Sequence, residues 1–143
     1  MTIVQSKNVS LNRISKSEIE CITQKVLRYL GHSGSDVVIC FTNDRAIKRL
    51  NKQYRGVDEP TDVLSFPYNE INIESGRLYL GDIIISLEMA NLQAEKKGWG
   101  LTKEIQLLLV HGILHLLNYD HENAKELKKM ARKQEEILNY LNS

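Results

Sequence analysis

Three of the four histidines of this chain lie between positions 111 and 121. His111 and His115 are four positions apart, so on a helix their side chains project from the same face, one turn apart. His121 follows after a stretch that a turn could fold back toward the pair. Three imidazoles leave one position of a tetrahedral zinc ion open to water, which is typical of catalytic zinc sites. The spacing predicts a zinc site, although ordinary histidines in a buried helix would give the same pattern.

Such a site would serve hydrolysis, because zinc lowers the pKa of its bound water to about 7 and polarises carbonyl and phosphoryl oxygens alike. Zinc peptidases with the His-Glu-x-x-His motif use the residue after the first histidine as general base. Here that residue is Gly112, so a peptidase would need a carboxylate from elsewhere. The candidate carboxylates are Asp62, Asp82, Glu88 and Asp120. Imidazole also accepts nickel, copper or iron, so other divalent transition metals stay open.

Arg55 follows Tyr54 at the end of a predicted helix. Its planar guanidinium matches phosphate oxygens, but from spacing alone a solvated surface arginine is the simpler interpretation. A basic cluster on the last predicted helix is typical of a solvated face, because charge runs there are mixed with glutamates. The members of this cluster are Lys125, Lys128, Lys129, Arg132 and Lys133.

Length and composition indicate one soluble domain over residues 1–143, with 42% hydrophobic and 26% charged residues. The formal charge of +1 provides no strong global attraction to nucleic acid, so any RNA contact must be local. The first ten residues lack the apolar core of a signal peptide, and no apolar run has the length of a membrane span. We therefore expect a cytoplasmic protein with no membrane association. Cys21 and Cys40 are expected to be small buried residues.

Caps and apolar periodicity predict alternating helices and strands. Ser15, Asn43 and Ser86 are predicted helix caps. The predicted strands cover residues 37–41, 62–66 and 78–85, the second closed by Pro67. The predicted helices follow the three caps and cover 102–117 and 122–141. A single α+β domain is the simplest assembly of these elements.

The helix predicted over residues 102–117 is apolar on nearly every side, which indicates a central, buried helix that carries His111 and His115. Asn118 follows it where a left-handed residue is needed to end the helix. Two other predicted helices, of which the last is amphipathic, also have predicted inward faces. They comprise Ile47, Leu50 and Tyr54 in one helix, and Leu127, Ala131, Leu138 and Leu141 in the last.

The stretch from His111 to His121, HGILHLLNYDH, closely resembles the H-G-x-L-H-L-x-G-Y-D-H signature of the YbeY family of bacterial endoribonucleases. Two further segments agree in order and spacing, Tyr54-Arg55-Gly56 leading into residues 61–67, and residues 80–83. The resemblance spans roughly residues 35 to 122. One departure is Asn118, where the family pattern usually has glycine. Because asparagine tolerates a left-handed backbone, we expect the turn to survive.

The resemblance implies a zincin-like α+β fold, with a mixed sheet of about four strands packed with about five helices. It implies a metal-dependent endoribonuclease that is specific for single strands. Such an enzyme matures the 3′ end of small-subunit ribosomal RNA and takes part in ribosome quality control, so the implied partners are RNA and the small ribosomal subunit. It assigns one zinc ion to His111, His115 and His121. The resemblance also assigns catalysis to Arg55 and His115, and substrate binding to Arg55.

Two other functions stay open at the level of sequence. A metallopeptidase is supported by analogy of fold alone, which is a poor guide to substrate. It predicts peptide turnover that survives Arg55→Ala. A non-catalytic ribosome-assembly factor stapled by a metal predicts that His115→Ala costs folding stability with no hydrolase activity to lose.

Overall fold

The computed structural model describes residues 1–119 and 123–143 of the chain. The described helices and strands, in chain order, are β1 (Thr2–Ser6), α1 (Lys16–Tyr29), β2 (Asp36–Thr42), α2 (Asp44–Arg55), β3 (Val63–Ile71), β4 (Leu78–Ser86), α3 (Leu87–Lys97), α4 (Leu101–Leu116) and α5 (Ala124–Leu141). The predicted α+β class, with about four strands and about five helices, is confirmed.

The four strands form one mixed sheet in the order β1-β2-β4-β3. β1 runs parallel to β2, and β2 runs parallel to β4, so helices connect these neighbours as parallel pairing requires. β3 pairs antiparallel with β4 and forms one edge of the sheet. The edge position leaves the first half of β3 available to face the end of α2.

The predicted helix starts are confirmed by hydrogen bonds from backbone N–H groups to the capping side chains. In each case the donor lies three residues after the cap, as at an ordinary N-cap. Ser15 accepts from Glu18 at 3.1 Å, Asn43 from Ala46 at 2.9 Å, and Ser86 from Met89 at 3.2 Å.

α4 is the central helix, in contact with β3, β4, α1, α3 and α5. Leu109 and Ile113 are fully buried on it, as the apolar pattern predicted. Near its start the Glu104 carboxylate is completely buried, and it accepts hydrogen bonds from Lys97 Nζ at 2.9 Å and Trp99 Nε1 at 2.9 Å. Because a buried carboxylate needs such partners, these contacts fix α4 against the end of α3. Among the helices of residues 1–119 and 123–143, none has both the length and the apolarity to cross a bilayer.

The structure differs from the predicted strands in two places. β1 was not predicted, because a short edge strand that mixes polar and apolar residues has little signal of its own. The strand expected to stop at Pro67 continues to Ile71. Proline lacks an N–H, but an edge strand can hold it without losing a ladder bond, and the pairing shifts register between Pro67 and Glu70.

Several predicted inward positions are instead exposed. Tyr54 is 61% exposed, because the last turn of α2 faces a cleft and not the core. Leu127 is 52% exposed and Ala131 is exposed as well, since the buried stripe of α5 runs through Met130 and Ile137. Leu138 and Leu141 are half-buried beside that stripe. Cys21 is exposed, whereas Cys40 is buried as expected.

Candidate functional site

His111 and His115 project from one face of α4, as their spacing predicted. Their Nε2 atoms lie 3.0 Å apart, and their ring centroids are 4.6 Å apart. Both side chains are half-buried, so the pair is partly open to solvent on a helix that is mostly buried. His121, the third predicted ligand, and Asp120 lie outside the described residues. The two described imidazoles converge in the way that two ligands of one ion would.

A glutamine that was not among the candidates from sequence holds one of these rings. Gln134 Oε1 lies 2.6 Å from Nδ1 of His111 and accepts its hydrogen bond. With the proton on Nδ1, the Nε2 lone pair of His111 is directed toward His115. Gln134 is half-buried between Met130 and Ile137 on α5. A polar residue on that buried stripe was the available signal.

Gly112 is explained by packing. A Cβ built there would lie 2.9 Å from Cγ2 of Ile83, so α4 approaches β4 too closely for a side chain. Ser65 of β3 donates a hydrogen bond to the Gly112 carbonyl oxygen at 3.2 Å. Both contacts fix the turn of α4 that carries the histidine pair against the sheet.

The histidine pair opens on a cleft of about 680 Å³ between the end of α2, the first half of β3 and α4. Arg55 lines this cleft as the last residue of α2, and Gly56 ends the helix in a left-handed conformation, with φ of 71°. The structure thus brings together Arg55, His111 and His115.

A second cavity of about 290 Å³ lies beside His111 and is lined by Lys96 and Lys97 among others. Asp62 and His111 line both cavities, so the two are neighbours along one surface.

The structure separates the described candidate carboxylates. Asp62 lines the cleft, although its Oδ1 also accepts a hydrogen bond from the Val63 N–H at 2.8 Å. Asp82 accepts a hydrogen bond from the Tyr79 hydroxyl. Burial, and then the Asp82 carboxylate, raise the pKa of Tyr79. Glu88 accepts from the Asp44 N–H at 2.9 Å. Of the three candidate carboxylates that the structure describes, Asp62 is therefore the one that lines the cleft.

The turn after α4 has the geometry predicted for it. Asn118 is left-handed, with φ of 69°. Its N–H donates to the His115 carbonyl at 3.1 Å, and the Tyr119 N–H donates to the Leu114 carbonyl at 2.9 Å. These two bonds form a Schellman motif, so asparagine ends this helix as glycine usually does.

The basic residues of α5 were expected on a solvated face, and Lys125, Lys128, Lys129 and Arg132 are exposed.

Fold and site together define a small α+β domain whose central helix presents a histidine pair to an arginine-lined cleft. Residues 3–142 match the family model described as Endoribonuclease YbeY. The Endoribonuclease YbeY of a Sulfurihydrogenibium species is 45% identical over 97% of this chain and 91% of its own length. That of Persephonella marina is 42% identical over 99% of this chain and 93% of its own length. The chain belongs to the YbeY family, as its motifs predicted.

A solved structure agrees with this assignment. The solution structure of TM1509 from Thermotoga maritima superposes with a TM-score of 0.64 and 29% sequence identity. The match covers 96% of this chain and 87% of that one. The likeness therefore extends over the whole domain that carries the cleft.

Proposed function

We propose that this protein is a metal-dependent endoribonuclease that cleaves single-stranded RNA in ribosomal RNA processing. The proposal includes 3′-end maturation of small-subunit ribosomal RNA, a part in ribosome quality control, and action in the cytoplasm. The observation that carries it is the convergence of Arg55 with His111 and His115 in one cleft, in a chain that belongs to the Endoribonuclease YbeY family.

The donor set suits a zinc ion. Two nitrogens bound at about 2.05 Å to a tetrahedral zinc lie roughly 3.3 Å apart, close to the separation of the two Nε2 atoms. That separation is 3.0 Å. We assign the ion to His111 and His115, with His121 as the third ligand. A bound zinc ion would acidify water to a pKa of about 7 and polarise a phosphoryl oxygen.

The side chains in the cleft and beside it divide the remaining work. Arg55 offers a charged, planar donor that binds phosphate oxygens and opposes negative charge as it grows in the transition state. Gln134 holds His111 in one tautomer through the 2.6 Å hydrogen bond to Nδ1. Asp62 stands at the cleft wall as the proposed proton acceptor.

Cleavage of a single-stranded oligoribonucleotide, paired with an assay of bound metal, tests the assignment. We expect Arg55→Ala to lower kcat by about 100- to 1,000-fold and to leave the metal content unchanged, because the arginine acts on phosphate charge. His115→Ala should lose both metal and cleavage. Arg49→Ala is the matched control, since Arg49 is an exposed arginine on the same helix. Full cleavage by metal-free His115→Ala would overturn the proposal.

The nucleophile is tested by substrate chemistry. An oligonucleotide that lacks the 2′-hydroxyl at the cleaved position cannot undergo internal attack. Cleavage that persists on this substrate excludes internal attack and identifies water as the nucleophile. In either case Arg55→Ala remains impaired on the RNA substrate, whereas a peptidase would keep its peptide turnover in that variant.

A further inference from the structure

Two aromatic rings form part of the cleft wall beside Arg55. Tyr54 is 61% exposed, although it lies seven residues after the buried Ile47 on the same side of α2. Its ring packs edge-to-face on Phe66 of β3, with centroids 5.2 Å apart and 69° between the ring planes. Both rings line the cleft that contains the histidine pair. A large aromatic surface is therefore held in place and left open to the cleft.

The neighbouring groups indicate what would cover this ring. Proteins that bind single-stranded RNA combine cationic side chains, which contact the backbone, with aromatic side chains, on which unpaired bases stack. Tyr54 and Arg55 are consecutive residues, and both line the same cleft. A phosphate at Arg55 would thus bring a base of the same or the next nucleotide within reach of Tyr54.

We propose that Tyr54, supported by Phe66, is the stacking platform for one nucleobase of a single-stranded RNA whose phosphate lies at Arg55. The inference rests on the proposed function and adds a base subsite to it. It provides a physical reason for preference for single strands, because a paired base would first have to leave its stack at a cost of a few kcal/mol. It also predicts tolerance of sequence, since every base has a π-face.

Steady-state cleavage of single-stranded oligoribonucleotides tests the subsite, with one abasic nucleotide placed in turn at each position around the cleaved bond. In the wild type, one abasic position should lower kcat/KM by about 5- to 150-fold, the range expected for the loss of one base–aromatic stack. Tyr54→Ala should cause a similar loss on the intact RNA, mainly through KM. In the Tyr54→Ala variant, the abasic nucleotide should lower kcat/KM no further. Tyr54→Phe should behave as the wild type.

Tyr140→Ala is the matched control, because Tyr140 is also an exposed tyrosine near a helix end, packed on another ring at 4.9 Å, that of Tyr29. It should keep the wild-type response to the abasic position. Equal sensitivity of wild type and Tyr54→Ala at every abasic position would overturn the subsite while the proposed function stands. A wild type that cleaves no single-stranded RNA would overturn both.

Discussion

At the scale of single residues, the site depends on the orientation of imidazole rings as much as on their presence. An imidazole binds a metal through an unprotonated nitrogen, so the proton must be kept on the other one. Gln134 accepts the hydrogen bond of His111 Nδ1 at 2.6 Å and thereby keeps the proton on that nitrogen. The same bond joins α5 to α4 at the position where the histidines face the cleft.

We expect Gln134→Ala to weaken zinc binding by about 10- to 100-fold, the usual cost of removing the partner of a metal-binding histidine. The measurement is a competition titration of zinc against a chelator, with the unfolding temperature of the metal-free protein recorded alongside. Glu135→Ala, at the exposed neighbouring position, should bind zinc as the wild type does. An unchanged zinc affinity in Gln134→Ala would show that the bond does not support a metal site.

The spacing of His111 and His115 was enough to predict that they face each other, because four residues make about one helical turn. Arg55 needed the family resemblance, since an arginine at a helix end has no periodic signal. Gln134 was not among the candidates from sequence, and Asp62 was one of four candidate carboxylates that the sequence could not rank by distance. Gln134 reaches His111 from α5, and Asp62 reaches the cleft from the position just before β3. Both placements depend on tertiary packing.

At the scale of elements, the position of β3 against β4 sets the wall of the cleft. Gly81 lies on β4 opposite Pro67 of β3, with φ of 149°. A Cβ there would be 2.2 Å from the Phe66 carbonyl oxygen, a contact that neither strand can relieve by turning a side chain. The two strands can lie this close because residue 81 is glycine.

We expect Gly81→Ala to lower the free energy of unfolding by about 3 kcal/mol or more, since it combines a disfavoured φ with a backbone clash. Gly76→Ala is the control, because Gly76 also has a positive φ, 69°, but has open space around its Cα. That variant should cost about 1 kcal/mol. Urea unfolding of the three proteins measures both values, and equal costs at the two positions would contradict the close approach.

Most elements were predictable because local signals agree with the fold. The three side-chain caps fix where α1, α2 and α3 begin, and the continuous apolar character of α4 indicates its central place. The errors fall where tertiary context overrides local pattern. Tyr54 follows the periodicity of a buried face, yet the last turn of α2 faces the cleft, and the ring borders the cleft instead.

At the scale of the whole molecule, the core is built from apolar side chains, and the histidine pair lies at its margin. Phe41, Ile83, Leu109 and Ile113 are all fully buried and belong to one continuous cluster. The burial of such side chains stabilises the fold without any contribution from a metal. We therefore expect the metal-free protein to be folded, in contrast to small domains that depend on zinc for their structure.

A metal that binds only the folded protein must still raise its stability by mass action. Free zinc at 100 times its dissociation constant adds about 2.7 kcal/mol to the free energy of unfolding. In a chain of this size, that corresponds to a rise of roughly 5–10 °C in the unfolding temperature. Thermal unfolding followed by circular dichroism, with and without zinc, measures the shift.

The variants locate the bound ion. His115→Ala should fold but lose the shift, because it removes one of the two convergent Nε2 atoms. His32→Ala should keep the shift, since His32 lies in the loop between α1 and β2 and is not among the residues that line the cleft. A full shift in His115→Ala would place the stabilising metal elsewhere in the molecule. A metal-free wild type that is unfolded would instead favour the alternative of a non-catalytic ribosome-assembly factor, because in that alternative folding depends on the ion.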